Sequence, residues 1–283
     1  MKNDSLIILA GGASSRMKRS LATSNLDIET LNIATETHKS LIPLGKNQKP
    51  LLYYLIKNAI AAEITTIYLI TSPKNIAFKE FVLRFLKEES DNAINFKYAI
   101  QYVPPDRNKP LGTADALKQC IDQYPKILQE RFTVCNGDNL YSIEAFNDLK
   151  KDRKVPNALI SYSSKELGFS EERIAKFALM HIDKDDFLKG IIEKPKPEVI
   201  EVYRNIDGSL RVSMNIFNFY GESVYPYLKN CLLNPLRNEK ELPQAVRKMI
   251  EENAKSVVCY PRSETIPDLT DANDIKRFEN YKY

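Results

Sequence analysis

Several residue patterns that would announce a function class are missing from this chain. Only two of its 283 residues are histidine, His38 and His181, and no GxSxG surrounds a serine, so a Ser-His-Asp hydrolase has no support. The four cysteines, Cys120, Cys135, Cys231 and Cys259, lie far apart with no CxxC pair. That removes zinc-ligand spacing and the crowded framework of a disulfide-stapled domain, and leaves reduced, mostly buried thiols as the expectation. Neither sign of charge dominates: 41 basic against 37 acidic residues give +4, which does not point to a nucleic-acid partner. No apolar run approaches the ~20 residues of a membrane span. Residues 6–10 are apolar but too short for a signal-peptide core, and two glycines follow at once, so the expected location is the cytoplasm, away from membranes. Internal repeats are absent too, including the hexapeptide repeats of an appended β-helix.

What is present is a strand-helix alternation with enough apolar residues, 43%, to fill a core. The runs 5–10, 65–71, 96–102 and 131–136 read as strands, the first a short apolar run ended by glycines. Between them, 50–63, 75–88 and 113–121 read as helices from apolar residues recurring with a period near 3.6. That order implies βαβ units and a mostly parallel sheet. Beyond about residue 155 the pattern changes. Strands are expected over 157–163, 174–182, 188–193 and 209–220, with turn chemistry at residues 183–186 and at Asp207-Gly208. A helix over 241–253, a strand over 256–260 and a closing helix over 271–281 complete the chain. The expectation is a single α/β domain, 1–283, with a Rossmann-like, mostly parallel sheet flanked by helices. The chain divides near residue 155 into this parallel half, 1–155, and a more antiparallel half, 156–283, with an inserted β subdomain.

The chemistry-bearing segments lie at strand ends. Leu9-Ala10-Gly11-Gly12-Ala13-Ser14-Ser15-Arg16-Met17 follows the first strand. Paired glycines let backbone approach a ligand where a Cβ would clash, successive N–H groups before a helix attract anions, and Arg16 adds a fixed positive charge. The segment is neither a Walker loop nor GxGxxG. Gln101, followed by Pro110-Leu111-Gly112-Thr113-Ala114, offers a side-chain amide with both donor and acceptor, and Gly112 lets backbone come close to a ligand. A tight turn with Thr113 near a helix cap accounts for the same residues equally well. Asn136-Gly137-Asp138-Asn139 closes a predicted strand, where open α/β sheets place their ligands, and a carboxylate there suits Mg²⁺.

Leu9-Ala10-Gly11-Gly12 with Arg16-Met17 resembles the sugar nucleotidyltransferase superfamily of sugar-1-phosphate uridylyl-, thymidylyl- and adenylyltransferases, and further segments resemble that family in the order it carries them. By this resemblance residues 1–155 are the nucleotide-binding half and 156–283 the sugar-phosphate-binding half, and Leu9, Ala10, Gly11, Gly12, Gln101, Gly112 and Thr113 bind the nucleotide. Lys39 in His38-Lys39-Ser40-Leu41-Ile42-Pro43 is a phosphate-binding lysine, although no proline precedes it and the stretch from Arg16 is longer than the family's; residues 20–37 are expected to form a flexible lid or a partner surface. Asp138 and, from Asp268-Leu269-Thr270-Asp271, Asp268 are implied as Mg²⁺ ligands, with Asp271 and Asp274 as rivals for the second place. Asn139, Glu193 of Glu193-Lys194-Pro195, and Asn215 of Ser213-Met214-Asn215-Ile216-Phe217 are implied on the sugar side, Asn215 standing where a glycine is common. Arg16, Lys39 and Lys194 are the implied catalytic cations.

The activity so implied is Mg²⁺-dependent attack of a sugar 1-phosphate on the α-phosphate of an NTP, with release of pyrophosphate. UTP or dTTP is favoured, ATP is also compatible, and a homo-oligomer is allowed. Two alternatives stay open at the level of sequence: a cytidylyl- or guanylyltransferase acting on a non-sugar phosphate, and a non-catalytic relative that binds nucleotide sugars.

Overall fold

The computed structural model describes residues 2–89, 93–235 and 237–279. The chain begins with strand β1 (Ser5–Leu9), helices α1 (Ser15–Leu21) and α2 (Ile28–Glu36), and a small hairpin of β2 (Pro43–Leu44) and β3 (Lys49–Pro50). Next come α3 (Leu51–Ala61), β4 (Thr66–Thr71), α4 (Ile76–Glu89), β5 (Asn95–Ile100), α5 (Thr113–Gln123), β6 (Arg131–Asn136) and α6 (Ile143–Lys150). The second half holds β7 (Asn157–Ser163), α7 (Glu171–Ile174), β8 (Ala178–Ile182), β9 (Leu188–Glu193), α8 (Pro197–Ile200), β10 (Arg211–Ser213) and β11 (Phe217–Tyr220). It ends with α9 (Gly221–Lys229), α10 (Leu242–Glu252), β12 (Val257–Arg262) and α11 (Ala272–Glu279).

Among the described residues one large sheet runs β5-β4-β1-β6-β11-β7-β10-β8-β9, with β12 also on β7. The β1, β4, β5 and β6 pairings are parallel, as the βαβ alternation requires. From β11 onward the pairings are antiparallel, except that β12 lies parallel to β7. The expected β subdomain therefore continues the same sheet. Alternation along β1 feeds two cores: Leu6 and Ile8 pack with residues of α3, α4 and α6, while Ile7 packs with residues of α5, α9 and α10. All four cysteines are buried and free, and none of the helices described is long and apolar enough to cross a membrane.

The differences from the sequence reading have local causes. The single strand expected over 209–220 is two, because Asn215 takes a left-handed backbone (φ 57°) between β10 and β11. The strand expected over 174–182 begins at Ala178, and the preceding turn is α7, capped by Ser170 accepting from Arg173 N. Residues 20–37 are largely helical, with the Asp27 carboxylate capping α2 through Thr30 N at 2.9 Å. The helix α9, unforeseen in the sequence, carries Pro226 in its interior, which disguises it. The closing helix is seen to Glu279, and its predicted end at residue 281 lies outside the described residues.

Candidate active site

The site forms where the parallel strands β1 and β6 end side by side, Leu9 in register with Asn136 and Gly137 N bonded to Leu9 O at 3.0 Å. Above them the glycine loop turns into α1 through Ser14, itself left-handed at φ 52°. Two bonds tie this loop to the 38–40 segment. The Ser14 hydroxyl accepts from Lys39 N at 3.2 Å, and His38 Nε2 lies 3.0 Å from Gly12 O while its Nδ1 accepts from Ser40 N at 3.2 Å. That pattern calls for neutral imidazole with the proton on Nε2. Burial, reinforced by Lys39, pushes the His38 pKa down to about 4. His38 is thus a staple for the glycine loop. His181, in contrast, is exposed on β8.

At one end of the cleft Gln101 is buried against Gly11: a Cβ on Gly11 would stand 2.9 Å from Gln101 Oε1. Gln101 Nε2 donates to Gly112 O at 3.0 Å, so the amide nitrogen is engaged within the protein. Gly112 has φ 114°, and a Cβ there would lie 2.5 Å from Lys240 O. The glycine therefore lets two segments of the chain pack backbone to backbone. Thr113 does not cap its own helix; its hydroxyl accepts from Leu242 N at 2.9 Å and so caps α10.

The acidic centre lies below the glycine loop. Lys39 Nζ and Asp138 Oδ2 form a partly buried ion pair. The backbones of the two expected metal ligands are joined, Leu269 N donating to Asp138 O at 2.9 Å and Asn139 bridging Asp268. Asp268 is nearly fully buried. Its Oδ1 accepts from Asn139 Nδ2 at 3.0 Å, and its Oδ2 from Thr270 Oγ1 at 2.9 Å and Arg173 Nη2 at 2.7 Å. Burial and the neighbouring Asp138 charge push the Asp268 carboxyl above its ordinary pKa. The rivals for the second metal place have other work. Asp274 pairs with Arg173 at 2.6 Å and accepts from Thr270 N and Asp271 N, while Asp271 accepts from Asn273 N. Among the described residues no three or more His, Cys, Asp or Glu side chains gather as a metal cage. Two adjoining carboxylates, one on the cleft wall and one keeping a lone pair on Oδ1, fit Mg²⁺, a hard ion that completes its shell with water and substrate phosphate.

The same cleft holds Glu193 and Lys194, at the close of β9. Lys194 is left-handed (φ 47°), its N–H bonded to Phe177 O, and burial lowers its pKa. Arg237 Nη1 lies 3.3 Å from Glu193 Oε1; the same guanidinium pairs with Glu239 at 3.1 Å and with Glu241. Burial and Glu193 hold the Glu241 carboxyl up, at about 7, in spite of Arg237.

The residues nominated from sequence line one cleft of about 500 Å³, except Asn139, Asp268 and the two rivals Asp271 and Asp274. Asn139 is buried, with its amide turned to Asp268 and away from the cleft, and Asp268 sits behind Asp138. Sequence reasoning missed Arg173, Arg237, Glu239 and Glu241, which belong to no motif and meet the site only through the fold. The bonds of His38 had one signal, its place beside Lys39.

Comparison with known proteins accords with this geometry. Residues 5–273 match the family model described as "Nucleotidyl transferase". Glucose-1-phosphate adenylyltransferase of Francisella tularensis subsp. novicida (strain U112) is 24% identical over 281 residues, 96% of this chain and 62% of that protein. The chain thus spans under two thirds of the length of such relatives. Among solved structures, a UDP-glucose pyrophosphorylase complexed with UDP-glucose has a TM-score of 0.71 at 16% identity, covering 99% of this chain and 98% of that one. A putative glucose-1-phosphate thymidylyltransferase from Bacillus anthracis has a TM-score of 0.65 at 22% identity, covering 99% and 97%.

Proposed function

We propose that this chain, which belongs to the nucleotidyl transferase family, joins a nucleoside triphosphate to a sugar 1-phosphate in the cytoplasm and releases pyrophosphate. The observation that carries this reading is a single cleft in which the Gly11-Gly12 loop, Arg16, Lys39 and Asp138 face Glu193 and Lys194. Such a cleft has phosphate-holding groups at the sheet ends and a carboxylate-lysine pair for a second, phosphorylated partner.

In this scheme a phosphate oxygen of the sugar 1-phosphate attacks the α-phosphorus in line. A new P–O bond forms, the bond from the α-phosphorus to the bridging oxygen breaks, and pyrophosphate leaves with that electron pair. The nucleophile is already anionic, so the protein's work is positioning and charge neutralisation. Arg16 stabilises the leaving pyrophosphate, Lys39 the triphosphate, and Lys194 grips the sugar phosphate while Glu193, braced by Arg237, accepts from sugar hydroxyls. Gln101 Oε1 is the acceptor for the N3–H of uracil or thymine, which favours UTP or dTTP; the amino group of ATP is the competing donor. Asp138 and Asp268 would hold Mg²⁺, which when bound offsets the negative charge of the reacting phosphates.

A pyrophosphate-release screen tests the proposal, crossing five NTPs with sugar 1-phosphates and alcohol phosphates in Mg²⁺. Release with a sugar 1-phosphate is expected. Release only with an alcohol phosphate would move the acceptor outside sugars, and NTP binding without release across the panel would make the chain a binding protein.

A further inference from the structure

Each of the two candidate metal-binding carboxylates already carries a cation of the protein, and the two cations are held differently. Arg173 is locked. Its guanidinium reaches Asp268 at 2.7 Å and Asp274 at 2.6 Å and lies 4.5 Å from the Phe169 ring. A planar fork engaged on two buried carboxylates cannot leave without breaking both ion pairs at once. Lys39 is held by far less. Among the described residues its Nζ bonds to Asp138 Oδ2 alone, at the cleft wall. An ammonium on a flexible four-carbon stem can turn to a new anion while its backbone stays fixed, and Lys39 N remains bonded to Ser14.

Resting on the reading of the cleft given above, we propose that Lys39 is an internal stand-in for the divalent cation. Without substrate its ammonium occupies the Asp138 carboxylate. When a metal ion takes that oxygen, Lys39 turns to the phosphates of the incoming triphosphate. Free protein consequently binds a bare divalent cation weakly, because a charge must first be displaced. Metal and triphosphate bind cooperatively, because the polyphosphate gives the displaced ammonium its next partner, and by linkage each raises the other's affinity by the same factor. Arg173 stays in place throughout and keeps Asp268 presenting Oδ1.

The test is binding of Mn²⁺ alone, read by the loss of its free-ion paramagnetic resonance signal, with no nucleotide present. Thermal melts confirm that each variant is folded. Lys39→Met is expected to bind Mn²⁺ on the order of tenfold more tightly than wild type, equivalent to ~1.4 kcal/mol. Lys39→Arg, which keeps the charge, should stay near wild type, and the double variant Lys39→Met with Asp138→Asn should lose the gain. If Lys39→Met binds no more tightly, or Lys39→Arg tightens as much, the stand-in proposal is overturned while the metal reading survives. If the double variant binds as tightly as Lys39→Met, Asp138 is not the ligand and the metal reading falls with the proposal.

Discussion

At the scale of single residues, charge and hydrogen bonding at the sheet ends decide what the cleft can do. Arg16→Ala and Asp138→Asn should each lower pyrophosphate release by about 10²–10³-fold, the usual effect of removing one preorganised charge. The melting temperature of Arg16→Ala should hardly move, since Arg16 is a cleft side chain; near-wild-type turnover in either variant would end the proposed mechanism. His38 gives a pH signature. Its pKa falls from 6.5 to about 4 on folding, mainly through burial, so within that window the unfolded chain takes up a proton that the folded chain refuses. The stabilisation is therefore present above pH 6.5 and lost as pH falls toward 4. Urea midpoints of wild type and His38→Gln, compared across pH 7 to 4, should show wild type losing more; parallel curves would mean that His38 titrates normally in the fold. The cleft-lining residues legible in the sequence were those in or near short motifs: the glycine loop, Gln101, Asp138 and the Glu193-Lys194 pair. Arg173 and Arg237 were illegible because each meets the site from a segment with no motif, at a distance set by the sheet.

Among elements, boundaries are fixed by contacts across the chain. Helix α10 illustrates this: Glu241 at its start offers no side-chain cap, and the hydroxyl of Thr113 supplies one from far upstream. Thr113→Val, which keeps the shape and deletes the hydroxyl, should cost about 1 kcal/mol in urea unfolding. Gly112→Ala should cost more, about 2 kcal/mol or above, through a left-handed backbone and a Cβ meeting Lys240 O at 2.5 Å. An unchanged midpoint would show that the Lys240 backbone gives way. The same contacts explain which elements could be read in advance. Strands β6, β7 and β9 fell on their predicted bounds because burial forces continuous or alternating apolar runs. The break at Asn215 leaves the surrounding pattern of apolar residues unbroken, and its one sequence signal is an asparagine, tolerant of a φ of 57°, standing where a glycine is common.

On the scale of the whole molecule, the two halves expected from the change in strand-helix pattern share one sheet, joined where β11 lies between β6 and β7. Near-UV ellipticity, arising here from 15 tyrosines and 12 phenylalanines with no tryptophan, should therefore be lost at the same urea concentration as the far-UV signal. Distinct midpoints would divide the chain into separately folding units.

The position of β11 also has a consequence for synthesis. Phe217–Tyr220 pairs with Phe132, Val134 and their neighbours, which leave the ribosome long before it does. Until residue 220 has emerged, β6 offers one unsatisfied edge beside buried, aromatic-rich sequence, the kind of surface that recruits other strands or a chaperone. Nascent chains arrested short of Phe217 are thus expected to stay protease-sensitive and chaperone-bound, however complete their first βαβ units.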